Sequence, residues 1–541
     1  MRTQSKNILI FFLSLLGIIF TNILISHNSN NVFAAERTNN VLFLPADSTS
    51  TELQNLLDYN KLNEYNLTIQ IPSGQYYLNK ELRIYSNTTI LAAPDARFIK
   101  NHEKGSMIAN DLTNDKGGYT ASSHITIKGG IWDSGNATKG TESFRFIHAT
   151  DITIQNATIC NVPEGSKLIL FAGVKNSKID GCKLYGYSGI WPKEAIQLDI
   201  VHDDVLVPSM QGSYLHYDDL ACDGIMISNN EIYNYPRAIG SHSSVKGVFH
   251  KNITITNNNI HDVDEAAIKA YNYVNLLISN NVISNASVGV LAYTYIDDEQ
   301  GHYMDSLPGT VKETLPSNYN IVIEGNIIKN IHQYKSGNSL IWGDGIRIMG
   351  SKNRPLKGVL IKKNKINNTK RMGVYTSDSP EAYITSNTIT KTASHGIYVD
   401  KSNGSKVNYN KLSWPGKAGS SSGGIGFSAS SKSSAYKNTV KDAAKNGIFL
   451  YNESINCSIT TNTVVRSADN GIAVNLKSNS AKILNNKITG KTSSSLNNRG
   501  IFVYGANKAT IKENIIKDCK LKQEINTNNS IGSIVKKNKI Y

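Results

Sequence analysis

One phrase, apolar-x-x-Asn-x-apolar, recurs along the second half of this chain and limits what it can fold into. Its asparagines are Asn230, Asn258, Asn281, Asn326, Asn364, Asn387, Asn410, Asn438, Asn462, Asn486, Asn514 and Asn538. Most steps span 23 to 28 residues, and two wider ones come after Asn281 and Asn326. A fixed period of this length marks a solenoid. Each unit is too short to bury its own apolar face, so neighbours must stack. Ile253-Thr254-Ile255, Ile321-Val322-Ile323 and Ile459-Thr460-Thr461 read as short β-branched strands bounded by Asn, Gly and Ser. Two or three such strands per unit make one coil of a parallel β-helix.

The asparagine has a physical task in a stack of coils. Its amide both donates and accepts hydrogen bonds. Amides on successive rungs, about 4.8 Å apart, can therefore bond to one another and to turn backbone as a ladder. Asparagine also tolerates the left-handed conformation of tight turns.

At 541 residues the chain is long for one ordinary domain, but a solenoid grows without dividing. The start resembles a secretory signal over residues 1–34: a charged head to Asn7, an apolar run from Ile8 to about Ile25, and small residues up to Ala34. That run is also long enough for a membrane anchor; either way the body is expected to be secreted, extracellular or cell-surface associated. The five cysteines, odd in number and far apart, show no metal or redox spacing. Residues 1–350 hold 26 Lys/Arg against 33 Asp/Glu, whereas residues 351–541 hold 31 against 9. The basic half suits an anionic surface such as a cell-wall polymer, though lysines also keep exposed strands soluble. A secreted chain without interleaved base-reading motifs is not expected to bind nucleic acid.

Asp47-Ser48-Thr49-Ser50-Thr51-Glu52-Leu53-Gln54-Asn55-Leu56-Leu57 reads as a capped amphipathic helix that closes the open end of the coil. With Ile69-Gln70-Ile71-Pro72-Ser73-Gly74 it assigns residues 35–100 to the cap and first coils. Residues 101–541 form the β-helix, with loop insertions at 200–222 and 294–320. The last rung reaches Tyr541 without a capping pattern, an end left for trimerisation or partner docking.

Together the helix, the IPSGQYYL strand, the SNTTI turn and the asparagine rungs resemble the pectin-lyase-like superfamily. The resemblance implies an all-β fold, a right-handed parallel β-helix solenoid with an N-terminal capping helix. The superfamily spans lyases, hydrolases, epimerases, tailspikes and adhesins, so fold does not give the reaction. Trp-Ile-Asp-His, Arg-x-Pro-x-x-Arg, Gly-His-Gly and Asp-Pro-His are all absent.

A second strand, small-apolar-x-apolar-x, recurs between the asparagine strands, as Glu194-Ala195-Ile196-Gln197-Leu198-Asp199, Arg237-Ala238-Ile239-Gly240 and Ala267-Ile268-Lys269-Ala270-Tyr271. Alternation turns Ile196, Leu198, Ile239, Ile268 and Ala270 inward. Gln197, Gly240, Lys269, Leu291, Arg347 and Tyr375 form one outward column, with Asp199, His242, Tyr271 and Tyr293 beside it. Asp199, His242, Lys269 and Tyr271 would then lie within two rungs, flanked by loops rich in acid (Asp203, Asp204, Asp218, Asp219; Asp297, Asp298, Glu299, Asp305, with His302). Trp191, Trp342, Tyr293 and Tyr375 offer platforms for sugar rings.

Glycoside hydrolysis needs two carboxyls about 5 to 9.5 Å apart; Asp199 with Glu194 or Asp223 would supply them, and His242 and Lys269 would orient the pair. Elimination or epimerisation of a uronate needs a cation for the carboxylate, a base and an acid; Arg237, Lys269 and Arg347 would neutralise, with His242 and Tyr271 as base and acid. Acidic loops around the face repel a polyuronate unless calcium intervenes, which ranks hydrolysis first. No other cofactor is expected. A non-catalytic glycan-binding surface protein is the third reading.

Overall fold

The computed structural model describes residues 37–204, 216–294, 303–310, 314–417, 421–496, 498–521 and 524–541. The segment read as a signal, and Asp297, Asp298, Glu299 and His302, lie outside them. Thr38–Tyr541 form one compact unit. Among the described residues no helix is long and apolar enough to cross a membrane.

Three parallel sheets wind into a right-handed β-helix. Sheet 1 has 18 strands, from Thr38–Phe43 to Ile534–Lys536; sheet 2 runs from Gln75–Leu78 to Lys539–Ile540; sheet 3 has 16 strands, from Leu82–Ile84 to Ile525–Asn526. One coil shows the pattern: Val359–Lys362 in sheet 1, a turn at Asn364, Lys365–Thr369 in sheet 2, then Val374–Ser377 in sheet 3. Parallel register stacks like on like, Ile323 on Ile361 on Ile384 and Ile328 on Ile366 on Ile389. These side chains are at most 1% exposed, and each contributes about 1.5–3 kcal/mol of burial.

The asparagine ladder is present at every position read from the sequence. Asn364 donates its backbone N–H to Asn387 Oδ1 (2.9 Å) and its amide to the same oxygen (3.0 Å) and to Ile323 O (2.9 Å). The same bonds link the members from Asn230 to Asn538. Below Asn230 the ladder starts at Cys182, whose N–H donates to Asn230 Oδ1 at 2.8 Å.

The helix spans Ser50–Asp58 and has its capping box, Thr49 receiving the Glu52 N–H and Glu52 bonding back to Thr49. Leu53 and Leu57 lie in the core. All five cysteines are free thiols, four of them buried.

Sheet 3 carries the small-apolar strand. Its small residue turns toward the core, where neighbouring coils leave no room: a Cβ on Gly373 would stand 2.6 Å from Gly396 O. Ala195, Ala238 and Ala267 occupy this column in the earlier coils. The outward column matches the reading, with Gln197 on Gly240, Gly240 on Lys269, Lys269 on Leu291, Leu291 on Arg347 and Arg347 on Tyr375.

Candidate active site

A cavity of about 960 Å³ opens on the outward face of sheet 3. Strands Arg237–Gly240, Ala266–Tyr271 and Val288–Tyr293 bring Arg237, Lys269, Tyr271, Leu291 and Tyr293 to its floor, with His242 just beyond the first strand. Glu164, Ile190, Trp191 and Lys193 build one wall. Tyr334, Lys335, Ile341 and Trp342 build another, from an antiparallel hairpin in which Tyr334–Ser336 pairs with Ser339–Ile341. Tyr271 and Tyr293 stack at 4.3 Å, and Trp191 is 68% exposed at the rim.

Beneath the floor lies an ionic network. Glu194, with no exposed surface, accepts from Arg237 at 3.1 Å; the other arm of Arg237 donates to Glu265 at 2.8 Å, and Lys269 Nζ stands 3.9 Å from Glu194. Burial alone would raise the Glu194 carboxyl, but Arg237 and Lys269 overcome it and hold the group at about 2. Arg237, buried but paired with two carboxylates, is held above its ordinary range. Lys269 is lowered to about 8, by burial first and then by Arg237, against the pull of Glu194. Burial and the same cations lower His242 to about 3, so its ring is neutral at ordinary pH. Its Nδ1, 3.3 Å from Arg237 Nη1, therefore accepts, and Nε2 carries the proton.

Asp199 is not in this cavity. Its strand turns it outward as alternation requires, but the chain after it folds back as a lid: Ile200, Val201, Ala221, Val245 and Val248 pack on outward Ile147, Leu170 and Ala172 as a second small core. Asp199 ends 1% exposed, accepting from Gln197 at 2.5 Å, and burial raises it to about 7 against the charge of Lys167. Glu194 is also below the floor. Asp223 opens a strand of sheet 1, between Lys175 and Lys251 in register, and accepts from Asn252. The expected carboxylate pair is thus not presented to the cavity, because burial and sheet assignment separate its members from the solvent-facing site.

The two insertions differ from expectation as well. No described residue of 200–222 or 294–320 lines the cavity. Their acids brace the loops instead: Asp218, together with Asp115 from an earlier coil, brackets buried His148 at 3.1 and 2.7 Å, and Asp219 takes His202 at 2.5 Å and the Leu307 N–H at 2.7 Å. The acidic ring around the site, on which the ranking of hydrolysis rested, is absent from its described lining.

Of the expected sugar contacts, Arg237, Trp191, Trp342 and Tyr293 line the cavity. Arg347 sits behind Trp342, bound to Asp344 at 2.8 Å and lying 4.4 Å over Tyr375, and neither Arg347 nor Tyr375 lines it. Sequence reasoning missed Glu164, Lys193, Glu265, Tyr334 and Lys335. The Tyr334 hairpin did leave a signal: Lys335-Ser336-Gly337-Asn338 is a turn sequence inside the wide step between Asn326 and Asn364.

Residues 219–354 and 318–488 match the family described as right handed beta helix region. No curated protein matches the chain. Among solved structures it is similar to PfbA, a surface adhesin of Streptococcus pneumoniae (18% identity, 85% of this chain and 89% of that chain, TM-score 0.41). It is also similar to the tailspike protein of E. coli bacteriophage HK620 in complex with pentasaccharide (13%, 86% and 78%, 0.48). A third is the catalytic domain of a GH87 alpha-1,3-glucanase in complex with nigerose (12%, 92% and 69%, 0.43).

Proposed function

The chain belongs to the right-handed β-helix family, and from that premise we propose that it binds an acidic polysaccharide in the sheet 3 cavity and cleaves it by β-elimination. The supporting observation is the floor itself: a lysine lowered to about 8, a neutral imidazole and two phenols, with the carboxylates beneath them neutralised. An amine with that pKa is half free base near pH 8 and is matched to taking a proton from carbon. Lys269 Nζ takes the C5 proton of a uronate; the C4–O4 bond breaks and the C4–C5 double bond forms. Tyr271 gives its proton to the departing oxygen. The carboxylate's growing charge is met by the His242 Nε2–H and the field of Arg237, while Trp191, Trp342 and Tyr293 hold the flanking sugar rings. Calcium is not needed to offset acidic loops in this reading. Hydrolysis by Asp199 and Glu194 would require two carboxyls to act in a cavity that neither lines.

The test is Lys269→Met on a panel of uronate-containing polysaccharides. Turnover should fall by about 10²–10⁴ while binding of intact polymer changes little, and wild-type turnover should rise with pH through about 8. A variant that keeps wild-type turnover sinks the assignment.

A further inference from the structure

The excess of positive charge after residue 350 is ordered on sheet 2. From Ile327–Ile331 to Lys539–Ile540, outward positions form two straight columns either side of an apolar column that is buried from Ile328 to Ile516. One reads Lys365, Thr388, Lys411, Thr439, Thr463, Lys487, Ile515, Lys539 in register; the other holds Lys329, Lys441 and Lys517 among Asn, Thr, Ser and Val. The columns share out their lysines so that most rungs carry one, about 4.8 Å from the next. Neither column contains Asp or Glu. Ion pairs among the described residues of this half use other groups, such as Arg466 with Asp442 and Lys477 with Glu453. None of these lysines pairs with a carboxylate there.

We propose that this strip is a second binding site, distinct from the cavity, for a linear polyol phosphate: a chain joined by phosphodiesters with one negative charge per repeat. A charge on most rungs, interrupted only at Thr388/Thr390 and Thr463/Val465, fits a linear polyanion laid along the helix axis. Before the terminal rung, where Tyr541 follows Lys517 in register, no aromatic ring stands in either column, so the strip lacks the row of platforms that bases need and that sugar rings use in the cavity; the ring of Trp414 lies off the columns. The cations are all lysine. Where this chain grips planar carboxylates in a fork it uses arginine, as Arg466 does on Asp442 at 2.8 Å through two nitrogens. Lysine suits a point charge such as a phosphodiester, and the interleaved threonines add hydroxyl donors.

Equilibrium binding of poly(glycerol phosphate) to the full chain tests this across a salt series. Wild type should bind with an affinity that falls steeply with salt. Replacing Lys411, Lys441, Lys487 and Lys517 together by Gln should weaken binding at least about tenfold at low salt and flatten the slope of log K against log salt by about 3. The same loss of charge from sheet 1, Lys406, Lys482, Lys512 and Lys536 to Gln, should change affinity less than about threefold, since those lysines lie on another face. Equal losses in both variants, or no binding by wild type, overturn the site. Polygalacturonate or single-stranded DNA of matched charge binding as tightly overturns the choice of ligand. Lys269→Met should leave this binding unchanged, which separates the strip from the cavity.

Discussion

At the residue scale, Lys269 and Asp199 show how far side-chain direction alone carries an argument. Alternation along the small-apolar strand assigned both outward, and both do point outward. Their surroundings differ: Lys269 meets a cavity, Asp199 a lid. Asp199 is therefore expected to be dispensable for turnover. Asp199→Asn should keep kcat/KM within about threefold, under 1 kcal/mol of transition-state stabilisation. Its effect on stability should depend on pH, with a sign set by the direction of the shift. An acid raised from 3.8 to about 7 on folding makes the folded state hold the proton more tightly, so wild type loses stability as pH rises from about 4 to 7. The asparagine has no proton to lose, so the difference in unfolding free energy, variant minus wild type, should grow across that window. Chemical denaturation at both ends of the window measures it; a loss of activity beyond about a hundredfold would return Asp199 to the catalytic machinery.

Loops make up the element scale, and here sequence was least informative. Long interruptions of a repeat usually build binding walls, yet the described parts of 200–222 and 294–320 cover an apolar patch, whereas the walls come from Ile190–Lys193 and a hairpin inside a different gap. The difference is set by what the underlying coil exposes. Ile147, Leu170 and Ala172 face outward and need a cover, a demand already written in the alternation of their strands. His148 fastens that cover. Burial opposes its charge, but Asp115 and Asp218 raise it to about 9, and a histidine raised from 6.5 contributes stability that is complete below 6.5 and lost as pH rises through 9, about 3 kcal/mol in all. Thermal unfolding monitored from pH 6 to pH 10 should show this decline in wild type, and His148→Gln should remove it and start from a lower midpoint.

For the whole molecule, the asparagine ladder made the architecture readable, because identical hydrogen bonds demand identical residues at fixed steps. Its members differ in how much they carry. Asn387→Ala would leave the N–H of Asn364, the carbonyl of Ile361 and the Asn410 amide oxygen without partners or with fewer; each orphaned buried group costs about 1–3 kcal/mol. Asn538→Ala, at a half-exposed rung, lets water replace the lost bonds. The first variant should therefore lower the unfolding midpoint several times more than the second, and equal effects would mean that the amides only shape turns. Of the candidate site, the sequence made legible the Arg237, His242, Lys269, Tyr271 and Tyr293 cluster that lines the cavity. The proposed chemistry depends on which charges the loops bury, which no repeat records. The most direct measurement is the mass and ultraviolet spectrum of products from a uronate polysaccharide digested by the full chain. Elimination predicts fragments whose masses sum to that of the parent, one bearing the absorbance of an unsaturated uronide. Fragments that have gained a water and lack that absorbance would contradict it.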